Sequence, residues 1–163
     1  MREKNAGFTL IELMIVVAIL GILGAIASVQ FSVYRMKAFN GTSVSTVRSV
    51  ELVQAAFYTE YFIYAPIAIA DQVNGLINKS VALPGGGTAM ITLSYSDKIN
   101  TVSKTSTNPS SLVIVGKHDG GDRLIGADSD APGKRFSLKT GPTTDADAPA
   151  STSGDDLASW SLL

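Results

Sequence analysis

The chain contains no cysteine. That excludes a disulfide framework and a thiolate metal site, and it leaves any exported domain dependent on its apolar core. Charge of either sign is scarce: 13 basic and 14 acidic residues are interspersed, for a formal net charge of -1. No basic stripe is available to neutralise phosphates, so specific nucleic-acid binding is not expected. His118 is the sole histidine, and neither a zinc-binding pair nor a nucleophile elbow is present, so no catalytic residue, metal or cofactor is expected. The 163 residues leave room for one ordinary domain plus an appendage. Hydrophobic residues make up 45% of the chain, concentrated between Phe8 and Phe31, and the remainder reads as an ordinary polar chain.

The information lies at the amino end. A short charged stretch, MREKNAG, ends at Gly7 and is followed by the apolar run FTLIELMIVVAILGILGAIASVQF. About 24 residues of helix reach roughly 36 Å, enough to cross a hydrocarbon core of about 30 Å. Arg2 and Lys4 favour keeping the leading end in the cytoplasm, which places the rest outside. Glu12 breaks the pattern, as the only charge in the run before Arg35. An intramembrane acid marks function by default. The alternative is a carboxylate that snorkels to the interface and sits at the positive end of the helix dipole. Ala25-Ile26-Ala27 also resembles a signal-peptidase site. However, the run is longer than an ordinary signal core, and helical sequence continues past it through SVQFSVYRMKAF.

Lys4, Gly7, Phe8, Thr9, Leu10, Ile11 and Glu12 resemble the leader and cleavage motif of type IV prepilins, and the likeness continues through LMIVVAILGILGAIA. The resemblance is strong over about the first 40 residues and rests beyond them only on layout. It implies that a prepilin peptidase cuts after Gly7 and methylates the new amine of Phe8. It further implies a single-pass precursor held in the cytoplasmic membrane by lipid, with its head outside the cytoplasm. An inner-membrane pilus assembly platform would then build the subunit into a helical homopolymer at the cell surface. In that polymer Glu12 is expected to accept the Phe8 ammonium of a neighbour, compensating charge in an apolar core and setting register. Two departures from the family stand out: Val29 occupies a position where many members carry a helix proline, and no C-terminal disulfide can form. Gly21 and Gly24 remain as points of helix flexibility or close helix packing. A pseudopilin of a type II secretion system shares this amino-terminal machinery and is the nearest alternative. A membrane-anchored extracytoplasmic enzyme or binding module is the alternative of a different class.

The expected organisation is a removed leader (1–7), a transmembrane and filament-core half-helix (8–31), an amphipathic half-helix (32–64) and a globular head (65–163). Val47, Val50, Val53, Phe57 and Tyr61 recur at helical spacing and form one stripe, with Arg48, Glu51 and Glu60 among them as solvated or interhelical charges. The helix is expected over Thr9 to Tyr61, with a stop at Ala65-Pro66. Residues Ala65 to Gly87 read as a connecting loop with a short helical piece near Ala68 to Leu76. Four β-prone runs follow: Ala89 to Tyr95, Leu112 to Val115, Arg123 to Ala127 and Arg135 to Leu138, with a hairpin turn at Asp119-Gly120-Gly121-Asp122. The fold class is therefore α+β, a long N-terminal helix packed on a roughly four-stranded antiparallel sheet.

Thr140 to Asp156 reads as surface loop, with Leu157, Trp160, Leu162 and Leu163 docking the C-terminus. The aromatic cluster Phe57, Tyr58, Tyr61, Phe62 and Tyr64 reads as packing at the base of the head rather than a stacked path for electrons or a binding face. His118 reads as a turn residue. Asp128 and Asp130 offer oxygen ligands for calcium, with a solvated turn as the alternative. The triplets at Asn40 and Asn78 fit the glycosylation pattern, which arises often by chance.

Overall fold

The computed structural model describes residues 7–96, 98–106, 110–139, 141 and 143–163. Arg2 and Lys4, and with them most of the expected leader, lie outside the described residues. The chain divides into two compact units, Met1–Arg35 and Met36–Leu163. The helix α1 (Leu10–Tyr61) runs through both, with Val29 inside it and no proline to remove a backbone bond.

In the first unit every described residue from Gly7 to Ser32 is exposed. This part of α1 is apolar all round, the composition of a helix that needs another helix or lipid against it on every side. Among the described residues α1 is the one helix long and apolar enough to cross a membrane. No added Cβ at Gly21 or Gly24 meets anything within 4 Å, so nothing within the chain requires glycine at either position.

In the second unit α1 becomes one-sided. Its buried residues are Ser43, Thr46, Val47, Val50, Gln54 and Phe57, a set that stays on one face at the helical period. They face an antiparallel β region that corrects the four-strand expectation. One sheet contains β1 (Gln72–Val73), β2 (Leu76–Ala82) and β3 (Thr88–Ser94), in that order. The other contains β4 (Ile99–Thr105), β5 (Leu112–His118), β6 (Arg123–Asp128), β7 (Phe136–Lys139) and β8 (Ser161–Leu162), also in sequence order. The stretch expected to be loop with a helical piece contains only a three-residue 3-10 turn at Ile69–Asp71 before β1 and β2 begin. The expected β5–β6 turn lies at Asp119 to Asp122.

Both faces of the five-stranded sheet are covered. Val47 and Val50 of α1 pack with Ile114 and Ile125 on one face. On the other, Val113, Val115, Leu124 and Phe136 pack with Ala148 and Leu157. Of the stretch expected to be surface loop, the described part is not simply that: Ala148 within it and Leu157 just beyond pin it across the second face. Burying a side chain such as Leu157 contributes about 1.5–3 kcal/mol, and Leu157 is fully enclosed. Trp160 packs against the same cluster, whereas Leu162 and Leu163, expected to dock, are exposed. Coverage on both sides explains why β5 reads as the unbroken apolar run LVIV rather than as an alternation.

Two glutamine amides act as surrogate peptide groups. Gln54, on α1, donates to Ala65 O at 2.6 Å and accepts from Ala65 N at 2.9 Å, tying the chain after the helix back onto it. Gln72, at the start of β1, donates to Thr101 O and accepts from Thr101 N at 3.0 Å, so its side chain splices the three-stranded sheet to β4. Beside this splice the Thr101 hydroxyl is fully buried and, among the described residues, has no hydrogen-bond partner. An orphaned buried hydroxyl costs about 1–3 kcal/mol, so Thr101→Val, which replaces it with a methyl of nearly the same shape, is expected to raise stability by about 1 kcal/mol. Thermal unfolding followed by circular dichroism should show the midpoint rising by a few degrees. A lower midpoint would mean that the hydroxyl has a partner after all.

Candidate functional site

The candidate site is the amino end of α1. Gly7 and Phe8 precede the helix as exposed, irregular chain, with Phe8 at 83% exposure. Thr9 is the N-cap, and Thr9-Leu10-Ile11-Glu12 is a capping box. Glu12 N donates to Thr9 Oγ1 at 3.3 Å, while Thr9 N and Thr9 Oγ1 donate to Glu12 Oε2 at 2.9 and 2.8 Å. Such a box satisfies donors that a helix start leaves open. Both Thr9 bonds fall on Oε2, so among the described residues Glu12 Oε1 remains open to a partner from outside the chain. The T-x-x-E spacing was legible in the sequence, and it gives Thr9 a role as the residue that orients the carboxylate. The site therefore offers one fixed, outward acid about one turn into an exposed apolar helix, with a glycine at the peptide just ahead of it. An added Cβ at Gly7 meets nothing within 4 Å.

The remaining sequence candidates are structural. The β5–β6 turn clamps α1. Ser43 Oγ accepts from His118 N at 2.8 Å, Asn40 Nδ2 donates to Asp122 Oδ1 at 2.7 Å, and Asp122 N donates to Asn40 Oδ1 at 3.2 Å. The His118 ring is buried and stacks on Phe39, with centroids 4.2 Å apart, while its Nδ1 accepts from Gly120 N. An added Cβ at Gly120 would lie 2.6 Å from the Phe39 ring, and one at Gly116 would lie 2.8 Å from Val47 Cγ2, so these glycines permit the close approach. Asn40 of the first glycosylation triplet is thus spent inside the clamp, and Asn78 of the second lies on β2 accepting from Thr92 Oγ1.

Asp128, Asp130 and Asp156 bring ligand oxygens within 4.8 Å of one another. Asp128 is buried and accepts from the backbone N–H groups of Asp130 and Asp156, both at 2.9 Å or less, so it staples the C-terminal segment to the end of β6. Burial pushes its carboxyl above the usual range, against the pull of those two donors. Glu51 is not merely solvated: it pairs with Arg135 across to the β6–β7 connection. In the aromatic cluster Phe57 is buried, Tyr58 and Tyr64 stack at 4.5 Å, and burial raises the Tyr64 phenol. Phe62 is the exception to packing, left 75% exposed with a positive φ of 58° just past the helix end.

Residues 2–28 match the family described as the prokaryotic N-terminal methylation motif. The chain is 40% identical over 67 residues to the type IV major pilin protein PilA of Myxococcus xanthus (strain DK1622), an alignment that covers 41% of this chain and 30% of that protein. It is 33% identical over 92 residues to the fimbrial protein EcpC of Eikenella corrodens, covering 54% of this chain and 60% of that protein. The alignments thus span less than two thirds of either relative. The amino end carries the prepilin methylation motif, and the chain is similar to type IV pilin and fimbrial proteins.

Proposed function

We propose that this chain is the precursor of a type IV pilus subunit, a structural protein rather than an enzyme, held in the cytoplasmic membrane and then polymerised into an extracellular filament. The observation that carries the reading is the coincidence of the methylation motif, residues 2–28, with the part of α1 whose side chains are all exposed. A helix of that kind has no place in water, but it is satisfied first by lipid and then by copies of itself.

In this reading the prepilin peptidase cuts between Gly7 and Phe8 and methylates Phe8, which leaves the amine cationic. The open oxygen of Glu12 receives that cation from a neighbouring subunit. Gly21 and Gly24, where no side chain intervenes, let neighbouring helices approach closely. An inner-membrane assembly platform extracts the subunit, and the Met36–Leu163 unit forms the filament surface. Immunogold electron microscopy with antibody against that unit should label long surface filaments. Label confined to the envelope, in cells whose other surface filaments are intact, would instead favour a secretion pseudopilin.

A further inference from the structure

We propose that the cleft where the two sheets meet binds a neutral pyranose sugar. Gln72 and Tyr95 form its floor, and Asn74, Lys98, Asn100 and Asp119 stand around them. Its volume is about 190 Å3, smaller than the roughly 300 Å3 at which pockets begin to enclose drug-sized ligands, so it suits one small ring. The wall is predominantly polar, in contrast to the cavity between α1 and the five-stranded sheet, which is walled by Leu112, Ile114 and Ala127.

The floor is committed to the fold. Gln72 uses both ends of its amide on Thr101, and the Tyr95 hydroxyl donates to Gln72 Oε1. The rim is not. Asn100 Nδ2 donates to Asp119 Oδ1 at 3.1 Å, which fixes both groups while leaving the Asn100 carbonyl and the second Asp119 oxygen as acceptors. Among the described residues, the Asn74 amide and the Lys98 ammonium have no partner within the chain. Two amides, a carboxylate and an ammonium around one small opening supply donors and acceptors side by side, the arrangement that vicinal hydroxyls match because each both donates and accepts. The opposite charges of Lys98 and Asp119 leave the rim without net charge. An anion meets the Asp119 carboxylate and a cation meets Lys98, so a neutral polyol is favoured over either.

Asn74 and Lys98, with φ of 50° and 69°, are two of the three non-glycine residues of positive φ among those described, and both stand on this rim. Asn74-Gly75 has the paired positive φ of a tight hairpin turn, which accounts for its conformation without further cause. Lys98 lies in the turn that leads into β4. The cleft lies within the Met36–Leu163 unit, so the proposal stands whether or not the chain polymerises.

The test uses the full chain in a zwitterionic detergent free of sugar headgroups. Saturation-transfer NMR is run with the methyl glycosides of galactose, glucose and mannose, and with sodium phosphate as competitor. Transfer to the ring protons of at least one glycoside is expected, with a Kd near about 1 mM and no competition by phosphate. Asn74→Gly, which keeps the turn but removes the amide, and Asn100→Ala should each weaken binding by at least about fivefold, with an unchanged circular dichroism spectrum. Absence of transfer from all three glycosides, equal transfer in wild type and Asn74→Gly, or displacement by phosphate would each overturn the assignment.

Discussion

Replacing Glu12 by alanine should leave abundant processed subunit in the membrane and reduce sheared, pelleted filament to less than about a tenth of the wild-type amount. The carboxylate is the only charge the exposed half of α1 carries. In an apolar helix bundle an unpartnered ammonium at each Phe8 has no other anion to meet, and the penalty recurs at every subunit. Insertion into lipid becomes easier without the acid, so export and cleavage should proceed. Glu12→Gln separates two roles. Glutamine can keep the capping box with Thr9 but cannot neutralise a cation, so it should fail as alanine does. Quantitative immunoblots of membrane and filament fractions read both outcomes. Normal filament yield from Glu12→Gln would assign Glu12 to the cap alone and remove the charge pairing from the mechanism.

Gly7→Phe should accumulate uncleaved precursor and give no filaments, with the Met36–Leu163 unit folded as in the wild type. Since an added Cβ at Gly7 meets nothing within 4 Å, the chain itself can accept a side chain there. A block on processing would therefore report the demands of the peptidase that approaches this peptide, not damage to the fold. Intact-mass spectrometry of the membrane fraction is the measurement. Wild type should begin at Phe8 with one added methyl group, and the variant should begin at Met1 or Arg2. A chain beginning at Ser28 would move the cleavage to the Ala25-Ile26-Ala27 site and make the apolar run a removable signal. Normal cleavage of Gly7→Phe would show that the glycine is dispensable to the enzyme.

The helix was legible because its signals are local. The long apolar run, apolar residues at a period of 3.6 and an Asp-Gly-Gly-Asp turn each need only neighbouring residues to be read; the T-x-x-E pair that caps the helix is equally local but was not read there. The missed strands depend on partners far along the chain. β4, INTVSKT, buries Thr101 and Ser103, residues that do not read as core. Ser103 is tolerated because Gln54, 49 residues away in sequence, donates to its Oγ, which itself donates to Ala65 O; at Thr101 Gln72 bonds only the backbone and the hydroxyl stays unpaired among the described residues. β2, LINKSVA, has only one covered face, and its polar residues made it look like a connection before the Pro84-Gly85-Gly86-Gly87 breaker. The C-terminal region has the composition of solvent-facing loop; Leu157 and Trp160 were legible as docking residues, but that they and Ala148 close the second face of the sheet shows only in the packing. The sugar cleft is of the same kind, assembled from three segments that sequence distance conceals.

If the chain polymerises as proposed, pulling the fibre end to end would load its subunits lengthwise, and the clamp near the start of the Met36–Leu163 unit would decide how each one takes the load. Val47 lies against Gly116 and Phe39 against Gly120, each in a space where a single added carbon would collide. Ser43 and Asn40 add hydrogen bonds to the same turn. Sliding this stretch of α1 along β5 requires those side chains to leave their notches together, so shear is resisted by several contacts in parallel rather than by one bond after another. Close-packed interiors transmit strain instead of absorbing it. Tension reaching residue 39 is therefore passed into the sheet as a unit, and the head is carried by the helix as a keyed part rather than one held by adhesion.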